Sequence, residues 1–255
     1  MVYIVALLGL CLGSFLNVVI HRVPRRQSVV QPASHCTHCA ETLRPWHLVP
    51  VLSFLMLRGR CAWCGVRVSW RYPLIEALAA LVLVGVYLAM GPTLEAVRYG
   101  VLGMLLLAAA EIDRCHGIIP NRLVAWGVGL GALLLAGFWG LDPLTLSPLD
   151  GLGAACSAAA LLLALRGVGT LFFGRPGVGL GDVKLAFMIG LFLGWTTLWV
   201  LYLALLLAGL LSIAGLLAGR LTRQTHLPMA PFMALGALLS LYLSPELVLL
   251  LVYGG

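Results

Sequence analysis

Gly177-Val178-Gly179-Leu180-Gly181-Asp182-Val183-Lys184 sets a carboxylate behind three alternate glycines and at the head of an apolar run without a charge from Leu185 to Gly219. An acid placed beside hydrocarbon is costly, so it marks a functional site whose partner must be found elsewhere in the chain. The run itself is 35 residues long, too long for one crossing at about 20 residues each and short for two. Charge decides in favour of two, with a turn near Gly194-Trp195-Thr196-Thr197, because Arg220 and Arg223 then return to the side from which the run began.

Composition agrees. Of 255 residues, 62% are hydrophobic and 10% charged, and mean hydropathy is +1.05, whereas soluble domains are about 45–50% apolar and about 25% charged. The chain reads as an all-α polytopic membrane protein. The net charge of +7 comes from arginines lying between apolar segments rather than in one stripe, so it reports topology and gives no support to a nucleic-acid partner.

Working outward, residues 1–20 form a first span. The first cations, Arg22, Arg25 and Arg26, follow it, whereas a secretory signal peptide has its positive region first. Further spans are expected near 73–91, 95–112, 122–141 and 150–173, then the double crossing, then one near 230–252, about eight in all. This count puts fifteen of the sixteen Lys and Arg residues on one face, with Arg98 near the other. The positive-inside rule makes that face cytoplasmic and leaves both termini periplasmic. Arg166, inside a span, is expected to reach the interface with its long side chain.

Between the first two spans, residues 21–72 hold eight arginines, four prolines and two Cys-x2-Cys pairs. About fifty residues need a staple to hold a fold. Cys36, Cys39, Cys61 and Cys64 enclose 21 residues between the pairs, close to the spacing of a four-thiolate structural zinc site. On a cytoplasmic face disulfides are disfavoured. His35, His38 and His47 are rival ligands, although four thiolates close a tetrahedron without them. Cys11, Cys115 and Cys156 read as small apolar filler.

The same topology sets Asp113 at the cytoplasmic end of the third span and Asp182 at the cytoplasmic start of the sixth. Two carboxylates in close approach share a proton. One is then a general base for water, while the other, protonated, polarises a carbonyl. Gly177, Gly179 and Gly181 let an extended peptide approach the backbone. Glu111 competes for the role of Asp113 but is assigned to helix-end packing, and an interfacial acid beside Arg114 is the plainer reading of Asp113 alone. Arg22 and Lys184 read as anchors at lipid headgroups, and Asn17 as a hydrogen bond to a neighbouring helix.

Gly179-Leu180-Gly181-Asp182-Val183-Lys184, with Ile112-Asp113 and Ile119-Pro120-Asn121 upstream, resembles the type IV prepilin peptidases, which are GxGD-type intramembrane aspartyl proteases. Gly13-Ser14-Phe15-Leu16-Asn17 through Val23-Pro24 is similar to the N-terminal signature of that family, and Arg71-Tyr72-Pro73-Leu74-Ile75-Glu76 to the stretch closing its cytoplasmic domain. Thr37 and Asn121 depart from the family pattern, where proline and aspartate are common. The resemblance implies catalytic roles for Asp113 and Asp182. It also implies a seven-helix peptidase domain over 73–255 and methyltransferase activity linked to 21–72.

On the same footing, the substrates are prepilins or pseudopilins cut after a glycine. The methyl donor is S-adenosylmethionine, and the location is a bacterial inner membrane. Glu76 is a candidate proton acceptor for the substrate amine, with pairing to Arg71 or Arg67 as the other reading. A peptidase without methylation, and a transporter or assembly scaffold whose acids bind a cation, remain as alternatives. Oligomeric state is not legible in the sequence.

Overall fold

The computed structural model describes residues 1–141, 146–174, 176–220 and 227–242, and the helices divide between two compact units, Met1–Gly91 and Pro92–Gly255. Among the described residues there are no strands beyond two isolated bridges.

The amino-terminal unit is a helical hairpin with an insert. Helix α1 (Val2–Arg22) and helix α3 (Arg71–Met90) run antiparallel, because Gly9 meets Ala80, Gly13 meets Glu76 and Asn17 meets Tyr72. These α1 residues are four apart and share one face. A Cβ on Gly9 would lie 2.5 Å from the Ala80 Cα, and one on Gly13 2.6 Å from the Glu76 Cα. Gly9-x3-Gly13 is therefore a small-residue contact of the kind that lets membrane helices touch backbone to backbone. Asn17 donates from Nδ2 to the Tyr72 carbonyl at 3.1 Å, as expected. Between the helices lie a 3-10 turn (Pro45–Leu48) and the short helix α2 (Leu52–Met56).

The carboxy-terminal unit contains α4 (Leu94–His116), α5 (Asn121–Phe138), α6 (Pro148–Phe173), α7 (Leu180–Leu193), α8 (Thr196–Leu217) and α9 (Ala230–Ser240). Thr93 caps α4, its Oγ1 accepting from the Ala96 N–H, and Ser147 caps α6 in the same way through the Asp150 N–H. Gly117, at φ +63°, ends α4 in the left-handed conformation that suits a helix terminus.

Helix α7 is the centre of this unit. Nine of its residues are buried, including every one from Met188 to Leu193. Gly127 and Gly131 of α5 receive Met188 and Phe192, and Gly190 sits where a Cβ would fall 2.3 Å from the Ala155 Cα of α6. Buried by protein on its sides, α7 needs no polar face. At 14 residues it extends about 21 Å, short of the roughly 30 Å hydrocarbon core.

The apolar run breaks at Gly194, whose φ of +56° ends α7, within the expected 194–197. Among the described residues five helices, α1, α3, α5, α6 and α8, are long and apolar enough to cross a membrane, which makes the chain a multi-pass membrane protein. The count of eight rests in addition on α4, which carries Glu95, Arg98, Glu111, Asp113 and Arg114, on the short α7, and on a last span. Of that last span α9 supplies 11 residues, and the remainder lies outside the described residues.

Candidate active site and metal centre

Asp113 sits in the last turn of α4, 7% exposed. Its Oδ2 accepts the backbone N–H of Ala230, the first residue of α9, at 3.0 Å. Asp182 is the third residue of α7, and its Oδ2 accepts the Gly179 N–H at 3.0 Å. This is the return half of a capping box, the half that a glycine N-cap still permits. Asp182 is half-buried.

Two contacts bring the segment leaving α4 and the start of α7 to the same end of the unit, and a third ties α6 to the glycine segment. A Cβ on Gly181 would stand 3.1 Å from the Ile119 Cβ, in the loop that leaves α4. Lys184 Nζ donates to Asn121 Oδ1 at 2.9 Å, so Lys184 has a protein acceptor as well as any headgroup. Arg166 of α6 donates to the Val178 carbonyl at 2.6 Å. Arg166 thereby ties α6 to the glycine segment.

The three glycines differ in what they admit. Gly177 faces open space. A side chain on Gly179 would come within 3.0 Å of the Asp182 carboxylate itself, and one on Gly181 would press on Ile119. Glu111 pairs with Arg114 through two bonds of 2.8 Å, consistent with the helix-end role expected for it.

The span expected near 230–252 starts where α9 does, but nothing in that expectation joins its first residue to Asp113. The local signal for that start is Pro228-Met229-Ala230-Pro231, since a proline in the first turn marks a helix beginning.

In the amino-terminal unit the four sulfurs of Cys36, Cys39, Cys61 and Cys64 all lie within 4.8 Å of one another, and Cys36 and Cys64 are 3.9 Å apart. A tetrahedral site with Zn–S bonds of about 2.3 Å needs sulfurs about 3.8 Å apart, so the cluster fits the ion. No histidine joins the group.

Each pair stands on a turn of the same construction. The Cys36 N–H donates to the Glu41 carbonyl, the Ala40 N–H to Cys36 and the Leu43 N–H to Ser34; Cys61, Gly65 and Val68 donate likewise to Val66, Cys61 and Gly59. Residues 34–43 and 59–68 are thus a structural repeat, 25 positions apart, that the composition of the insert conceals. The backbone N–H groups of Cys64 and Trp63 lower the Cys61 thiol to about 7. Cys39 accepts the Glu41 backbone hydrogen bond, which lowers it, yet desolvation and the neighbouring thiols outweigh that and push it up to about 12. Four crowded sulfurs do not all ionise unaided, and a cation is what would make them thiolates together.

Glu76 is buried in the first turns of α3, its Oε2 accepting the Val51 N–H at 2.8 Å. Arg22 was expected at the headgroups. It is 7% exposed instead and donates to the Ser28 and Ala33 carbonyls, so it folds the start of the insert back onto α1. Cys11, Cys115 and Cys156, read as small apolar filler, are exposed.

These features define a multi-pass α-helical membrane protein with two acids at one end of its helical unit and a four-cysteine module in its other unit. Residues 7–90 match the bacterial peptidase A24 N-terminal domain, and residues 100–218 match the type IV leader peptidase family. Among similar proteins is a prepilin leader peptidase/N-methyltransferase of Myxococcus xanthus, 40% identical over 221 residues that span 86% of this chain and 64% of that one. Others of the same name come from Burkholderia pseudomallei, 34% identical over 96% of this chain and 86% of that one, and from Bacillus subtilis, 35% identical over 94% and 93%. No solved structure matches. The chain belongs to the type IV leader peptidase family, a family of aspartic proteases.

Proposed function

We propose that this protein cleaves the leader from prepilins or pseudopilins after a glycine and N-methylates the residue so exposed. The observation that carries the peptidase half is the arrival of Asp113 and Asp182 at one end of the same unit, one on the end of α4 and one on the first turn of α7. One carboxylate takes a proton from water. The other, protonated, donates to the scissile carbonyl and stabilises the tetrahedral oxygen that forms as water adds. Proton return to the leaving amine completes the cut. Asp113 is oriented by the Ala230 N–H and Asp182 by the Gly179 N–H, while the glycine segment gives an extended leader room along the backbone.

The location is the bacterial inner membrane, with the four-cysteine module and the acids on the cytoplasmic face and both termini periplasmic. Cys36, Cys39, Cys61 and Cys64 would hold a structural zinc ion, whose contribution is to tie residues 34–68 into one fold. S-Adenosylmethionine supplies the methyl group in the second reaction.

Mass spectrometry of a prepilin N-terminus, after incubation with the purified protein, tests both halves. Cleavage after the leader glycine, lost in Asp113→Asn and in Asp182→Asn, supports the aspartate pair. Added mass of one methyl group only when S-adenosylmethionine is present supports methylation. Folded, zinc-loaded protein that cuts none of several prepilins would overturn the reading in favour of a transporter or scaffold.

A further inference from the structure

Val51-Leu52-Ser53-Phe54-Leu55-Met56-Leu57 puts six apolar side chains on and around α2, with Arg58 and Arg60 directly after them. A helix on a water-surrounded module buries one apolar face and shows a polar one. Helix α2 has no polar face to show. Ser53, Phe54 and Leu57 line a cavity of about 1170 Å³ that Glu76 and His47 also line, and the Phe54 ring lies against Trp70 with centroids 4.7 Å apart. The other side is apolar as well: Met56 is 82% exposed, Leu52 59% and Leu55 57%. Trp70 and Trp46 are more than half exposed too, the latter on the 3-10 turn that packs against α2. An exposed apolar patch of this kind marks a surface that something covers.

The height of the patch identifies the cover. The Val51 N–H, at the start of α2, donates to Glu76, five residues into α3 from Arg71 and beside Gly13 of α1. Both helices are long and apolar enough to cross a membrane. Five residues rise about 7.5 Å, and helical side chains lean back toward the N-terminal end, so α2 begins alongside the first turn and a half of α3. Trp70 and Tyr72, on either side of Arg71, are the aromatic residues that sit at headgroup level. An interfacial helix sinks its apolar face about 5–10 Å below that level, which is the depth at which α2 stands.

We propose that α2, with Trp46 and Trp70, is a membrane-docking face that seats the insert in the headgroup layer of the leaflet from which it emerges, on anionic phospholipid. Residues 21–72 hold eight arginines and a single acid, Glu41. Arg44, Arg58 and Arg60 are exposed, and the Arg44 guanidinium lies over the Trp46 ring at 5.4 Å. Anionic lipid satisfies both the apolar face and these cations, whereas a second copy of the chain would set arginines against arginines. The sign of the charge suits the cytoplasmic leaflet proposed above. Lipid then holds α2 from the side opposite the cavity and steadies the Val51 N–H on Glu76.

The test uses the full chain in nanodiscs of phosphatidylcholine, alone or mixed with phosphatidylglycerol, so that both leaflets carry the same lipid and the outcome does not depend on which side is cytoplasmic. A phospholipid with a diazirine close to its glycerol is activated by light, and labelled peptides are mapped by mass spectrometry. Label is expected on residues 46–56 as well as on α1 and α3, rising about threefold or more when phosphatidylglycerol is present. Leu55→Gln combined with Met56→Gln should lower label on 46–56 at least about fivefold. Arg58→Gln combined with Arg60→Gln should remove the gain from phosphatidylglycerol. Unchanged circular dichroism and unchanged label on α1 and α3 report folding of each variant.

A diazirine side chain in place of Met56 reads the same contact from the protein, and its adducts should be phospholipid with or without prepilin. Label on α1 and α3 but none on 46–56 would overturn the docking face. So would adducts from position 56 to a second copy, to prepilin or to residues 92–255, each naming a protein cover instead. Equal label in the two lipid compositions would overturn the assignment to anionic lipid.

Discussion

Asp182 and Asp113 are each held through one carboxylate oxygen at 3.0 Å, but their partners lie three residues away in one case and 117 in the other. Asp182 is oriented by its own helix start, Asp113 by the start of a helix from the far end of the chain. Glu76 lies between these extremes, its partner Val51 being 25 residues off across the insert. The difference shows how the two units are stabilised. The carboxy-terminal unit holds its acids with backbone N–H groups at helix starts, one local and one distant, while the amino-terminal unit holds Glu76 with a backbone N–H from the insert that carries the four cysteines.

The largest effect should come from breaking the acid pair. Asp113→Asn or Asp182→Asn is expected to lower leader cleavage by at least about 10³-fold, since residues acting as a unit lose nearly everything when one is removed. Circular dichroism of each variant should match that of the unaltered protein. If either variant kept a tenth of the cleavage rate, that acid would not be part of the pair.

Removing metal should separate the two units. A strong chelator is expected to take out about one zinc per chain and open residues 34–68 to protease, because binding energy at such sites is folding energy. The helices of the carboxy-terminal unit should stay protected. Cleavage maps that are the same with and without chelator would mean that the sulfurs hold no structural ion.

Within the glycine segment the contrast sharpens further. Gly179→Ala puts a methyl group against the Asp182 carboxylate and should reduce cleavage about tenfold to 100-fold through misorientation. Gly177→Ala meets no atom within 4 Å and should leave the rate within about threefold. Equal losses at both positions would point to general flexibility of the loop instead of the geometry of Asp182.

The smallest effect compares the two cysteine turns. Gly65 stands at φ +68° and its counterpart Ala40 at φ +57°, a region that disfavours any side chain. Ala40→Gly should stabilise the zinc-loaded module by no more than about 1 kcal/mol, read as a slightly higher midpoint in thermal unfolding. A fall in the midpoint would show that the Ala40 methyl makes contacts that outweigh its strain.

Much of this was legible in the order of residues. Helix α7 begins at Leu180, within the glycine segment, and ends at Gly194, because a break of that kind is written within a few residues. The cysteine spacing likewise announced a cluster whose sulfurs do meet. One reading failed where a long side chain had a choice of partners. Arg22, read as an anchor at the headgroups, is buried and binds carbonyls of Ser28 and Ala33, because an arginine in an apolar setting takes whatever acceptor the fold brings within reach.

The sequence by itself determined the membrane class, the two acids as candidates, the four sulfurs and the local geometry of Asp182, all of them properties of composition or of spacings of a few residues. Only the tertiary structure decided that the start of α9 holds Asp113, that residues 34–43 and 59–68 are one turn made twice, and that Glu76 and His47 line a single cavity. Those depend on which distant segments meet when helices bury their small-residue faces, and no local pattern of residues records that.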